Sequence, residues 1–128
     1  MKSPKVYCAL NAVTETTTSE EFYIGDFKRV AFLFRRAGHV AGSTEFTINQ
    51  GFSAEAGTDP TMTASNMLII NVANDNSQSA YTHSSVVLAA NGDGFAWLDP
   101  SCAATHVSVT ATETTDGTHS AYIIGWED

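Results

Sequence analysis

Four histidines, fourteen carboxylates and two cysteines are the residues of this 128-residue chain best equipped for chemistry. The histidines are His39, His83, His106 and His119. No two stand at the i, i+4 spacing that puts paired ligands on one helix face, and no His-Glu-x-x-His occurs. Each is therefore expected on a separate loop or strand face, with no zinc bound. Ser84 and Ser85 follow His83, but no glycine pattern frames either as a nucleophile. Asn91-Gly92-Asp93-Gly94 lacks the Lys-Ser/Thr and the helix of a phosphate loop, so it reads as a turn. Asn74-Asp75-Asn76 and Asn91-Gly92-Asp93 offer oxygens to calcium, yet without EF-hand order. Asn and Asp form turns without any ion. Cys8 and Cys102 are too far apart in sequence for a metal pair and are expected as free thiols. The expectation is a protein that is not an enzyme, with no catalytic residue, metal or cofactor.

The elements that must position these residues read as strands. No segment keeps helical apolar periodicity over three turns, whereas short apolar or alternating runs recur. They are Val6 to Val13, Glu21 to Ile24, Lys28 to Arg35, Thr44 to Phe52, Met67 to Val72, Val86 to Ala89, Phe95 to Leu98, His106 to Glu113 and Ala121 to Trp126. In His106 to Glu113, Val107, Val109 and Ala111 share one face and Ser108, Thr110 and Thr112 the other. Gly, Asn and Asp clusters separate the runs, and Thr115-Asp116-Gly117-Thr118 is the best hairpin turn. Tyr81 to Ser85 has room for one helical turn. About nine short strands with 28 Ser and Thr imply an all-β, single-domain antiparallel β-sandwich, jelly-roll or immunoglobulin-like. Residues 1–19 form an N-terminal arm or a first strand, and 20–128 the sandwich. The thirteen aromatics are expected mostly in its core.

Charge narrows the partners. The net charge is −8, and all six bases lie in the first 36 residues. Residues 37–128 carry no Lys or Arg, so they offer nothing to replace the counterions of a nucleic acid. An anionic membrane is disfavoured for the same reason. No apolar run approaches the roughly 20 residues of a spanning helix. Val6 to Leu10, broken by Asn11, is too short for a signal-peptide core, so synthesis and use without secretion are expected. The basic N-terminal part suits an acidic partner.

Gly42 to Ala54, Val86 to Trp97 and Val107 to Trp126 resemble three stretches of the small all-β virion proteins of tailed bacteriophages. Gly42 to Ala54 is similar to their alternating strand that ends in Gln before small residues. Val86-Val87-Leu88 through Asn91-Gly92-Asp93-Gly94-Phe95-Ala96-Trp97 is similar to their late strand, acidic turn and short aromatic strand. Val107 to Trp126 is similar to their C-terminal hairpin. Glu55 to Thr63, with Pro60 and Met62, departs from the pattern. The resemblance implies a capsid decoration (cement) protein on the virion surface. It would bind the major capsid protein, assemble as a homo-oligomer (a trimer is favoured), and contact no nucleic acid or membrane. Lys2, Lys5, Arg35 and Arg36 are candidate contacts to an acidic shell, and Trp126 a candidate anchor. Two alternatives stay open. One is a tail-tube or neck subunit that stacks through the loop Ala54 to Ser65. The other is a carbohydrate- or receptor-binding module using Trp97 or Trp126.

Overall fold

Alternation of side chains along extended segments is what builds the molecule. A computed structural model describes residues 3–39, 42–53, 61–63, 69–72, 78–83, 85–98, 104–113 and 117–128. Their strands are β1 (Lys5–Val13), β2 (Thr17–Thr18), β3 (Phe22–Tyr23), β4 (Arg29–Ala37), β5 (Thr44–Phe52) and β6 (Thr61–Thr63). They continue as β7 (Ile69–Val72), β8 (Gln78–His83), β9 (Ser85–Leu88), β10 (Gly92–Leu98), β11 (His106–Glu113) and β12 (Thr118–Trp126). The protein is all-β, a single domain of two antiparallel sheets. The first sheet has the order β1-β12-β4-β10-β7-β8. The second has the order β2-β11-β5-β6, with β3 also on β11 and β9 also on β5. Among the described residues no helix is long and apolar enough to cross a membrane.

The chain changes sheet at most of its connections, and early strands pair with late ones: β1 with β12, β4 with β10 and β12, β5 with β9 and β11. That is the winding of a jelly roll rather than of an immunoglobulin-like sandwich. It also overturns the expected C-terminal hairpin. β11 pairs with β2, β3 and β5, while β12 pairs with β1 and β4 in the other sheet. Gly117 keeps the positive φ that its turn position suggested, at 114°. The connection nonetheless arches between sheets, because a turn residue sets local geometry and not the pairing partner. Thr114 to Asp116 lie outside the described residues.

Three further expectations change. The helical turn over Tyr81 to Ser85 is strand β8 as far as His83. The loop Ala54 to Ser65 contains β6. The turn Asn91 to Gly94 yields its last three residues to β10. Residues 5–13 form an edge strand paired with β12.

The core lies between the sheets. β4 sends Val30, Phe32, Phe34 and Arg36 inward, and β12 sends His119, Ala121 and Ile123. From the other sheet come Thr44, Phe46 and Ile48 of β5 and Val107, Val109 and Ala111 of β11. Phe34 stacks on Phe46 with centroids 4.7 Å apart, and on Phe32 at 6.2 Å. Tyr7, Phe22 and Phe27 close the end near the start of β1. The interior is therefore apolar over most of its length and polar at the other end.

Candidate functional site

The five residues singled out for assembly have separate fates. Lys2 lies outside the described residues. Lys5 is exposed and pairs with Glu127 at 2.9 Å, a hydrogen bond and charge that hold its ammonium above the ordinary value. Arg35 points outward from β4 and forks onto Asp93, Nε to Oδ1 at 2.8 Å and Nη2 to Oδ2 at 3.3 Å. That hydrogen-bonded pairing raises the guanidinium pKa. Arg36 is not a surface contact: it is 2% exposed, one step on along the same strand and so on the inner face. Its Nη2 donates to the Gly42 carbonyl at 2.8 Å and its Nε to Thr44 Oγ1 at 3.3 Å. Trp126 is half-buried, 5.3 Å from Trp97 between ring centroids, with the Arg29 guanidinium 5.1 Å above its ring.

Trp126 belongs to a wider surface. The outward positions of β1, β12, β4 and β10 carry Val6, Tyr122, Ile124, Leu33, Phe95, Trp97 and Trp126. Register places them side by side: Val6 opposite Ile124, Tyr122 opposite Leu33, and Leu33 opposite Phe95. Val6 is 60% exposed and Phe95 47%. Arg29 and the Arg35–Asp93 pair add charge to the same face. The outward face of the second sheet differs. There Thr18 and Thr110 share a hydroxyl bond of 2.9 Å, Asn49 donates to Ser108 and Thr110, and Ser85 donates to Glu45. The first face is aromatic and apolar; the second is largely hydroxyl and amide, with Val87 of β9 and Phe52 at the end of β5 exposed on that sheet as well.

The polar end of the interior holds an arrangement that the sequence spacing did not announce. His39, Glu113 and His119 each present one ligand-type atom, and these lie within 4.8 Å of one another. Among the described residues they form the one group of three His, Cys, Asp or Glu so placed. Glu113 ends β11 in the second sheet, His119 is the second residue of β12 in the first, and His39 lies two residues beyond β4. His119 is 1% exposed and stands edge-on to Phe46 at 6.3 Å. Its Nε2 is 3.1 Å from the Glu15 carbonyl, which can only accept, so the proton is on Nε2. Nδ1 is buried with no hydrogen-bond partner, and so is Glu113 Oε1. His39 is 7% exposed, and its ring centroid is 6.1 Å from that of His119. Asn91 clamps its backbone, accepting from His39 N at 3.1 Å and donating to His39 O at 2.9 Å. A Cβ at Gly117 would overlap the His39 ring, so glycine makes room for it.

The turn residues that could offer oxygens to calcium are engaged within the protein: the Asn91 oxygen accepts from the His39 N–H and the Asp93 carboxylate takes Arg35. Asn74 to Asn76 lie outside the described residues. Cys8 is exposed and free, and Cys102 is outside the described residues. His106 bonds Thr105 through Nδ1 at 2.9 Å and meets Tyr23 edge-on. A groove of about 230 Å³ beside Lys5, Tyr7, Glu21 and Asp26 opens at the opposite end from the histidine cluster.

No family model matches the chain, and no curated protein matches it. Among solved structures, the crystal structure of the SPBc2 prophage-derived protein YomS is similar. The match covers 95% of this chain and 91% of that one, with a TM-score of 0.65 and 16% sequence identity. At that identity the likeness is one of fold: the two chains share the same β architecture across nearly their whole lengths.

Proposed function

We propose that this protein is a non-catalytic structural component of a tailed-phage virion, and that it decorates the capsid by docking its first sheet on the shell. The observation that carries the reading is the aromatic outward face of that sheet. Trp97, Trp126, Tyr122, Phe95 and Arg29 are the residue types enriched where proteins meet. A contact that is weak once becomes strong when repeated symmetrically over a shell. The likeness in fold to a prophage-derived protein supports a phage setting. The excess negative charge supports a partner other than nucleic acid. A sugar stacks on an open ring face, and Arg29 already occupies one face of Trp126, which favours a protein contact for that ring.

The test is light scattering after size exclusion, negative-stain imaging, and cosedimentation with empty heads of the phage that encodes the chain. A discrete trimer that pellets with heads is the expected result. Trp126→Ala should weaken that pelleting by about tenfold or more, the scale of an interface anchor. Rings or tubes would assign the protein to the tail instead, and a monomer indifferent to heads would overturn both roles.

A further inference from the structure

We propose that His39, Glu113 and His119 bind one zinc ion that ties the two sheets together. The proposal is independent of the virion reading. Its first support is the donor set. Two imidazole nitrogens and one carboxylate oxygen are among the commonest zinc ligands, and three protein donors leave a fourth position for water. Its second support is burial without compensation. His119 Nδ1 and Glu113 Oε1 are out of solvent and accept no hydrogen bond, a condition that buried polar atoms of folded proteins seldom tolerate. A cation between them satisfies both at once.

The third support is orientation. A metal-bound histidine characteristically donates its other ring N–H to a carbonyl or carboxylate, which fixes the tautomer and aims the free lone pair. His119 does this through Nε2 to the Glu15 carbonyl, so Nδ1 is the donor turned inward. Asn91 fixes the His39 backbone from both sides, and Gly117 leaves space for its ring. A tetrahedral ion with ligands at about 2.0–2.1 Å sets donor atoms about 3.3 Å apart. The present spread, within 4.8 Å, needs closure by no more than about 1.5 Å. Arg36, the cross-strand neighbour of His119, brings a positive charge close by. Glu113 is therefore the ligand whose charge the site would miss most.

The strap joins the end of β11 to the starting residues of β12 and the second residue beyond β4. It closes the polar end of the sandwich, where apolar packing runs out. Calorimetry and metal analysis of untagged protein with Zn²⁺ provide the test, alongside Glu113→Gln, which keeps the shape and removes the charge. The expected result is one zinc per chain and a raised melting temperature. Glu113→Gln should weaken binding by more than about 100-fold, since even outer partners of ligands are worth 10–100-fold. Nitrogen NMR of the wild type gives a second readout that needs no variant. His119 should be metal-bound through Nδ1 and keep its proton on Nε2. Failure to retain zinc at micromolar concentration would overturn the proposal and leave a shared proton as what links the three groups. Equal retention by Glu113→Gln, or coordination through Nε2 of His119, would also overturn it.

Discussion

The two ends of the sandwich interior are built from the same strands and by the same alternation, yet they hold opposite chemistry. Toward one end β4, β5, β11 and β12 supply Phe32, Ile48, Val109 and Ile123, all fully buried. Toward the other, beyond Phe34, Phe46, Ala111 and Ala121, the inward positions of those strands are Arg36, Thr44, Glu113 and His119. The first end is held by burial of apolar surface, which is non-directional and tolerant of detail. The second is held by hydrogen bonds and charges, which stabilise only when every partner is in place. The same fold thus needs shape at one end and stoichiometric pairing at the other. Backbone geometry shows the same division. Among the described non-glycine residues, the one with positive φ is Ala12, at 49°. It lies where the register of β1 shifts before Val13 meets His119. A β-bulge there bends the chain, and Glu15, three residues on, supplies the carbonyl that His119 uses.

The largest expected effect is at the apolar end. Phe34→Ala removes a fully buried ring between Phe32 and Phe46. It should cost about 3–5 kcal/mol, the transfer and cavity terms together. Urea unfolding with an unchanged m-value would measure it. A cost under about 1 kcal/mol would mean that the core repacks freely and that the contrast between the ends is weaker than drawn. Next comes Arg36→Met, which keeps much of the side-chain volume and removes every donor. The Gly42 carbonyl then loses its 2.8 Å bond and Thr44 Oγ1 its 3.3 Å bond. Leaving such groups unsatisfied should cost about 1–3 kcal/mol in the same assay. An unchanged or raised stability would show that the polar end is only tolerated, as buried ions replaced by apolar groups sometimes are.

How far the sequence disclosed this follows the same divide. β5 and β11 have the bounds that their alternation implied, Thr44–Phe52 and His106–Glu113. The apolar runs of β4, β10 and β12 are legible, but each falls short of its strand at the same end of the sheet. The apolar pattern of β4 ends at Arg35, that of β10 begins at Phe95 and that of β12 at Ala121, while the strands reach Ala37, Gly92 and Thr118. The residues beyond the pattern pair with each other: Gly92 and His119 both stand opposite Arg36. Polar residues and glycines mark solvent or turns in a single sequence, because nothing local says that another sheet will cover them. The histidine cluster was illegible for a related reason. Its members come from both sheets, and metal motifs are recognisable in sequence only when the ligands share one helix or loop. The faint available signal was that Glu113 continues the inward phase of Val107, Val109 and Ala111. The jelly-roll winding could not be read either, since strand partners distant in sequence leave no local trace.

The smallest expected effect is the sharpest form of the comparison, because it concerns adjacent residues. Arg35 and Arg36 have the same side chain and the same strand, and the pleat sends them to opposite faces. Arg35 meets Asp93 in solvent, where attraction is screened and ordering two long side chains offsets most of the gain. Arg35→Ala should therefore leave the melting midpoint unmoved within the reproducibility of the assay, at low and at moderate salt. If instead it lowered the midpoint as much as Arg36→Met does, burial could not be what distinguishes the two arginines. The outward face of the first sheet would then share in holding the fold. An unmoved midpoint leaves Arg35 and Asp93 free to be replaced without loss of structure. Their effect on head binding could then be read as contact with a partner alone, which no substitution at the polar end of the core would allow.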